Sequence, residues 1–291
     1  YEARCPECSI NYNYTYSRSR EVLSCHLCGN VIPAPHACPE CGFQEIRYFG
    51  SGTEKLESCA RAIFPGARIG RMDSDLMRSA EDYEVVLDKF RRGKLDILVG
   101  TQMITKGFDF SRVSVVGVLN ADNLICSPDF RSSERAFQLL TQVAGRAGRR
   151  EKEGVVVVQT SEVEHPVLGW VVRGDYDAMA RSELSERNAF GYPPYSHIIM
   201  FTLRCDNLQL LRRGAGGWSA RMREKFGGRV FGPVAPPVDR IRGVYILRLM
   251  LKIENGRSLS RARELLRGLL KEMAEHEEYK SITISTDVDA Q

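Results

Sequence analysis

No run of apolar residues in the sequence approaches the roughly 18 needed to cross a bilayer, and no basic segment followed by an apolar one stands near the N-terminus as a secretory signal would require. The expectation is a cytoplasmic chain with no membrane partner. A strong excess of one charge is also missing: 41 Lys and Arg against 37 Asp and Glu leave a formal net charge of +4. That balance permits a nucleic-acid partner without arguing for one. Tandem repeats and low-complexity tracts are absent. So is a G-x-x-x-x-G-K-[ST] phosphate loop, because Gly93-Lys94 is followed by Leu95 and lacks the upstream glycine. No Asp-Glu box is present to hold magnesium and activate water. A chain without both is not expected to hydrolyse ATP by itself.

What is present is enough sequence for two domains. At 291 residues and 43% hydrophobic content the chain can bury a sizeable core, and a third, smaller module would need another means of support. That means is cysteine. Six of the nine cysteines form three C-x2-C pairs: Cys5 with Cys8, Cys25 with Cys28, and Cys38 with Cys41. Such a turn points two thiolates at one centre, and two turns supply the tetrahedral ligands of a structural zinc ion. Gly29 and Gly42, each directly after a second cysteine, suit the tight turn. Tyr12, Tyr14 and Tyr16 alternate with polar residues as in a short strand, and few large aliphatic side chains accompany them, so metal substitutes for a core. Disulfides are disfavoured in a cytoplasmic chain whose remaining cysteines, Cys59, Cys126 and Cys205, are odd in number and scattered.

The sixteen residues between Cys8 and Cys25 are in the usual range for a four-cysteine site, whereas the nine between Cys28 and Cys38 are few. Cys5, Cys8, Cys25 and Cys28 are therefore assigned to one zinc. Cys38 and Cys41 then need a partner pair, expected upstream of Tyr1, with His26 or His36 as the less favoured completion. A first residue other than Met points the same way, toward a piece of a longer protein with two zinc sites, of which one is complete here. The expected boundaries are a zinc-binding module over 1–45, a lobe over 46–190 and a terminal domain over 191–291.

In the lobe, short β-branched runs alternate with amphipathic stretches, the pattern of a doubly wound α/β fold. Expected strands are Arg47–Phe49, Ala67–Arg71, Leu95–Val99, Val113–Leu119 and Val155–Gln159. Expected helices are Thr53–Ile63, Ala80–Arg92, Ser132–Arg149 and Asp175–Asn188. Ligands of such sheets sit beyond the carboxyl ends of strands. Beyond Val99 run Gly100, Thr101, Gln102, Met103, Ile104, Thr105, Lys106, Gly107, Phe108, Asp109 and Phe110, suited to holding phosphate and ribose or equally to an ordinary strand-to-helix connection capped by Thr101. Farther on, Arg135, Gln138, Gln142, Arg146 and Arg149 share one helix face, opposite an apolar face of Phe137, Leu140, Val143, Ala144 and Ala147. Gly145 and Gly148 each cost roughly 1 kcal/mol in a helix, which a plain solvated face does not explain. Two arginines at a closely approached surface suit the charge of a transferred phosphoryl group.

These segments, Gly100 to Phe110 and Gln142 to Arg149, resemble motifs V and VI of superfamily 2 helicases. With the preceding cysteine array and Asp129-Phe130-Arg131-Ser132-Ser133-Glu134-Arg135, the chain resembles the primosomal protein N′ (PriA) family of replication-restart helicases. The resemblance covers most of the chain and extends to Gly50-Ser51-Gly52-Thr53-Glu54 and Tyr192-Pro193-Pro194-Tyr195. It implies a RecA-like second helicase lobe belonging to a 3′-to-5′ DNA helicase that recognises stalled forks and begins primosome assembly. By that resemblance Gly107 and Asp109 contact the nucleotide, Gln142 orders the site, Arg146 and Arg149 reach the triphosphate, and Thr101, Gln102 and Lys106 lie toward DNA. ATP with Mg2+ would require a first motor lobe absent from this sequence. The zinc module would serve duplex displacement and partner contacts. Phe108 stands where the family more often has histidine, and Ser111 where proline is usual.

After the stiff junction Gly191 to Tyr195, the expected order is strand His197–Cys205, helix Leu208–Phe226, strand Val230–Phe231, strand Tyr245–Ile253, helix Leu259–His276 and strand Ser281–Asp287. This βαββαβ order fits a ferredoxin-like α+β domain. Arg240, Arg242, Arg248 and Lys252 surround the third strand as a solvated basic edge or a DNA contact. The resemblance implies that this domain helps bind forked and single-stranded DNA and single-strand-binding protein, beside other primosome proteins. A competing reading is a non-enzymatic, zinc-dependent nucleic-acid or protein-binding module on a degenerate motor lobe; Asp109, Arg146 and Arg149 favour the motor. A thiol redox protein would instead need an exposed thiolate of low pKa.

Overall fold

The computed structural model describes residues 2–17, 20–44, 52–73, 79–101, 113–145 and 154–289. The chain divides into two compact units, Ser51–Glu186 and a second built from Tyr1–Gly50 together with Arg187–Gln291. The cysteine module therefore shares a unit with the far end of the chain, an association that the linear order of three expected domains does not contain.

The module begins with β1 (Asn13–Ser17), β2 (Arg20–Ser24) and β3 (Val31–Pro33), an antiparallel three-stranded sheet. Among the described residues its buried apolar side chains amount to little more than Leu23 and Ala34 beside three of the cysteines, so burial alone contributes little stability. The expected strand through Tyr12–Tyr16 is present, shifted to Asn13–Ser17.

In the unit Ser51–Glu186, helices and short parallel strands alternate: α1 (Thr53–Ile63), β4 (Ile69–Met72), α2 (Ala80–Arg91), β5 (Ile97–Gly100), β6 (Val115–Val118), α3 (Asp122–Ile125), α4 (Ser132–Ala144), β7 (Val155–Val158), α5 (Pro166–Arg173) and the start of α6 (Tyr176–Phe190). β4 pairs in parallel with β5, and β6 with β7, which is α/β architecture. Local chemistry sets the boundaries. The Ser79 hydroxyl accepts the Asp82 N–H at 3.2 Å while the Asp82 carboxylate accepts the Ser79 N–H at 3.0 Å, a capping box that starts α2. Arg68 donates to both carboxylate oxygens of Asp96, at 2.9 and 2.7 Å, joining the segments that enter β4 and β5. Those bonds from Arg68 hold the Asp96 carboxyl at about 2.

Two helices here were not expected. α5 starts with Pro166 at its first turn, after His165 Nδ1 accepts the Val167 N–H at 3.3 Å, and it stops at Gly174 with φ +64°. A proline just inside and a glycine just past are readable helix punctuation; α3, at four residues, carries no such periodic signal. On α4 the buried residues are Ala136, Phe137, Leu140 and Val143, whereas Ala144, assigned to the apolar face, is exposed. The expected strand Arg47–Phe49 and residues 146–149 of the expected long helix lie outside the described residues.

The terminal part of the other unit runs β8 (Ser196–Cys205), α7 (Leu208–Phe226), β9 (Val230–Val234), β10 (Arg240–Ile241), β11 (Val244–Glu254), α8 (Leu259–Glu275) and β12 (Thr283–Val288). The antiparallel sheet is ordered β12, β8, β11, with both β9 and β10 pairing to β11. Asn207 caps α7 by accepting the Gln209 and Leu210 N–H groups at 3.0 and 3.1 Å, and Ser258 caps α8 by accepting the Arg261 N–H at 3.3 Å. The largest core of the described chain lies here, where Phe201, Leu203, Leu249 and Leu251 meet Leu211, Trp218, Met222, Leu266 and Leu269. β10 and its tight hairpin to β11 were not expected. None of the described helices is long and apolar enough to cross a membrane.

Phe201 is fully buried and meets Trp218 edge-on, with ring centroids 5.0 Å apart. Phe201→Ala is expected to destabilise this unit by about 3–5 kcal/mol, seen as a lower urea midpoint at unchanged slope. A loss below about 1 kcal/mol would mean that the surrounding side chains collapse into the space.

Candidate functional site

The cysteine pairs act through backbone turns. In the first, the Ser9 N–H bonds to the Cys5 carbonyl at 2.8 Å and the Cys5 N–H to Ile10 O at 2.8 Å; in the second, the Gly29 N–H bonds to Cys25 O at 2.9 Å and the Cys25 N–H to Asn30 O at 2.8 Å. Both turns need a left-handed residue after the second cysteine, met by Gly29 at φ +77° and by Ser9 at φ +53°. Tyr12 joins the two turns, its hydroxyl donating to Asn30 Oδ1 at 2.7 Å, and burial first, then the adjacent thiols, pushes that phenol up to about 12.

As a result Cys5, Cys8, Cys25 and Cys28 converge, with all four sulfurs within 4.8 Å of one another. Cys5 Sγ and Cys28 Sγ are 3.6 Å apart, close to the roughly 3.8 Å edge of a tetrahedron of sulfurs about 2.3 Å from zinc. Cys5, Cys8 and Cys25 are 1%, 0% and 1% exposed. Four soft donors, three of them buried and Cys28 half-buried, without a disulfide, fit a zinc ion, and four protein ligands would close its coordination to substrate, which makes such a site structural.

Electrostatics distinguish the sulfurs. Burial raises the Cys25 thiol, but N–H groups of Cys28 and Leu27 donate to its sulfur and bring it down to about 7. The Asn30 N–H lowers Cys28, yet desolvation and the neighbouring thiols outweigh it and leave that group at about 12. Cys8 is raised by burial against a lowering N–H from Arg242. Cys38 and Cys41 stand apart from the four. Their turn is built alike, with the Gly42 N–H on Cys38 O at 2.8 Å, but Cys41 is exposed and no third candidate ligand joins them among the described residues. His26 and His36 are exposed and belong to no such cluster either.

Arg240 and Arg242, taken as candidate DNA contacts, sit against this centre. β10 and β11 are joined by a two-residue loop, Arg242 at φ +49° and Gly243 at φ +81°, with Ile241 opposite Val244 and Arg240 opposite Tyr245. Positive φ at both positions is the type I′ arrangement. From this hairpin Arg240 Nη1 donates to Pro6 O at 2.6 Å, the Gly243 N–H to Glu7 O at 3.0 Å, the Arg242 N–H to Cys8 Sγ at 3.4 Å and Arg242 Nε to Leu27 O at 3.3 Å. Arg240 also lies over the Tyr245 ring, 4.6 Å from its centroid. Lys252 is committed as well: its ammonium sits 3.6 Å from the Tyr192 centroid and donates to Phe190 O at 2.9 Å, and burial lowers its pKa. Three of the four cations grouped around the third strand therefore bond within the chain.

In the other unit Thr101 is exposed directly beyond β5, and Gln142 is half-buried on α4. Gln102, Lys106, Gly107, Asp109, Arg146 and Arg149 lie outside the described residues. On the polar stripe of α4, Arg135 Nη1 donates to Asp129 Oδ2 at 2.7 Å and Gln138 Nε2 to Glu134 Oε1 at 3.2 Å. The sequence reading missed Asp122, which follows β6 and accepts the Ser161 N–H at 3.0 Å, its hydroxyl at 2.6 Å and the Thr160 hydroxyl, bonds that lower its pKa. It ties the exits of β6 and β7 together, and a lone aspartate offers no spacing by which to find it.

A family model described as "Helicase conserved C-terminal domain" matches residues 43–151, and one described as "Primosomal protein N C-terminal domain" matches residues 188–291. Among curated proteins the chain is similar to the "Replication restart protein PriA" of Bacillus subtilis, 38% identical over 99% of this chain and 36% of that protein. The protein of the same name from Haemophilus influenzae is 34% identical over 99% of this chain and 39% of its own length. That from Synechocystis is 43% identical over 70% of this chain and 25% of its length. The chain thus spans well under half the length of the curated relatives it matches.

The four converging sulfurs predict one tightly held zinc per chain. Cys8→Ser should abolish it and Cys41→Ser should retain it, measured as zinc remaining after challenge with a chelator. Loss of the tight zinc in Cys41→Ser would place that residue in the complete site.

Proposed function

The chain belongs to the replication restart protein PriA family, with helicase and primosomal protein N C-terminal domains, and from that premise we propose that it is the C-terminal part of an ATP-dependent 3′-to-5′ DNA helicase that recognises stalled forks and starts primosome assembly. The observation that carries this reading is the conjunction, in one chain, of a converging four-cysteine centre and the two domain matches that follow it. Neither would be so specific alone. The unit Ser51–Glu186 is read as a RecA-like second motor lobe, supported by the parallel pairings of β4 with β5 and β6 with β7. The terminal part is read as ferredoxin-like, supported by its helix placement and by the antiparallel neighbours β12, β8, β11 and β9.

In the proposed mechanism Gly107 and Asp109 hold the nucleotide, Gln142 orders the site, and Arg146 and Arg149 meet the charge that develops on the transferred phosphoryl group. Thr101, Gln102 and Lys106 face the DNA strand, coupling it to the nucleotide through one short loop. Magnesium and the phosphate loop come from a first lobe that this sequence does not contain. The zinc centre, closed to substrate, serves duplex displacement and contacts with single-strand-binding protein and other primosome proteins. For Arg240 and Arg242 the bonds to the cysteine module favour a supporting role over direct DNA contact.

The test is DNA-stimulated ATP hydrolysis by the chain extended upstream through a first motor lobe, with Arg149→Ala compared at equal DNA binding. Loss of turnover by roughly 10³-fold or more is expected for an arginine finger. Unchanged turnover would reject that assignment, and no turnover in either protein would favour a zinc-dependent binding module on a degenerate lobe.

A further inference from the structure

Thiolates bound to zinc keep much of their negative charge, and the N–H groups aimed at them hold their position and temper their basicity. At Cys25, Cys28 and Cys38 those donors are local. Cys25 receives N–H groups of Leu27 and Cys28, Cys28 that of Asn30, and Cys38 those of Glu40 and Cys41. Cys8 differs. The N–H that reaches the Cys8 sulfur, at 3.4 Å, belongs to Arg242, 234 positions away along the chain. On either side of that bond the same hairpin holds the turn itself, through Gly243 N–H on Glu7 O at 3.0 Å and Arg240 on Pro6 O at 2.6 Å. Three consecutive residues of the first turn, Pro6, Glu7 and Cys8, are thus gripped by a single hairpin.

We propose that the Arg242-Gly243 turn is an outer-shell clasp of the metal centre, its Arg242 N–H completing the hydrogen bonding of the Cys8 sulfur, so that zinc binding and hairpin docking form one coupled equilibrium. The clasp works through the main chain. Arg242 needs its left-handed backbone, which glycine reproduces, more than its guanidinium. Gly243 needs to lack a side chain: a Cβ there would stand 3.3 Å from a Glu7 carboxylate oxygen at a φ of +81°. Coupling of this kind is reciprocal. Zinc organises Cys8 for the hairpin as much as the hairpin organises Cys8 for zinc, and the ion thereby fixes where the terminal sheet sits on the cysteine module.

The inference rests on the zinc reading above, and the experiment separates the two. Zinc affinity of the 1–291 chain is measured by competition with a chromophoric chelator for the unsubstituted protein, Gly243→Val and Arg242→Gly. Gly243→Val should weaken zinc by roughly 10-fold or more, the range for lost outer-shell partners, while Arg242→Gly should stay close to the unsubstituted chain. On the unsubstituted chain, stripping zinc should raise amide hydrogen exchange at Arg242 and Gly243 while β8 keeps its protection. This second measurement decides the matter if Gly243→Val does not fold. Unchanged affinity in a folded Gly243→Val, or hairpin exchange indifferent to zinc, would overturn the clasp and leave the metal site standing. A chain that binds no zinc would overturn both.

Discussion

A segment with as few buried apolar side chains as the described residues of the cysteine module must be organised by something other than a core, and here that is the meeting of four sulfurs within 4.8 Å. Everything around the module follows from keeping those atoms together. The turns close on backbone hydrogen bonds, Tyr12 bridges them through Asn30, and the three short strands mainly carry the second turn back to the first. Without a cation, four thiols at this distance compete for protons and hydrogen bonds, which is why Cys25 and Cys28 are driven in opposite directions. A divalent ion replaces that competition with four equivalent attractions.

The module does not stand alone. It shares a compact unit with the terminal sheet, and the seam is made by a hairpin whose charged residues read, in the linear sequence, as a solvated basic edge or a DNA contact. In the fold Arg240 and Arg242 each donate to a carbonyl of the cysteine turns, and Lys252 nests over Tyr192. Each of these arginine bonds engages one of the five N–H donors of its guanidinium.

Much of the architecture was legible. α1 and α7 have the expected bounds, and apart from β10 the terminal strands and helices come in the expected order, because Asn207, Ser258 and the flanking glycines punctuate it. α5 has no counterpart among the expected helices although Pro166 and Gly174 mark it, because its eight residues span barely two turns of periodicity. β10 was missed for a different reason. It is two residues long, and Arg-Gly is a less familiar type I′ pair than Asn-Gly or Asp-Gly.

The sequence by itself determined which sulfurs can share an ion, since C-x2-C spacing is a matter of local covalent geometry and the sixteen-residue gap separates two such turns at a usual length. It also determined the alternation of strand and helix in the lobe, because periodicity and caps are written within a few residues of where they act. Only the tertiary structure decided that the Cys8 sulfur takes its hydrogen bond from Arg242 and that Arg240 ends on Pro6. Contacts across 234 positions arise from packing of separately formed elements. A backbone N–H, common to every residue but proline, leaves no trace in the sequence of where it will point.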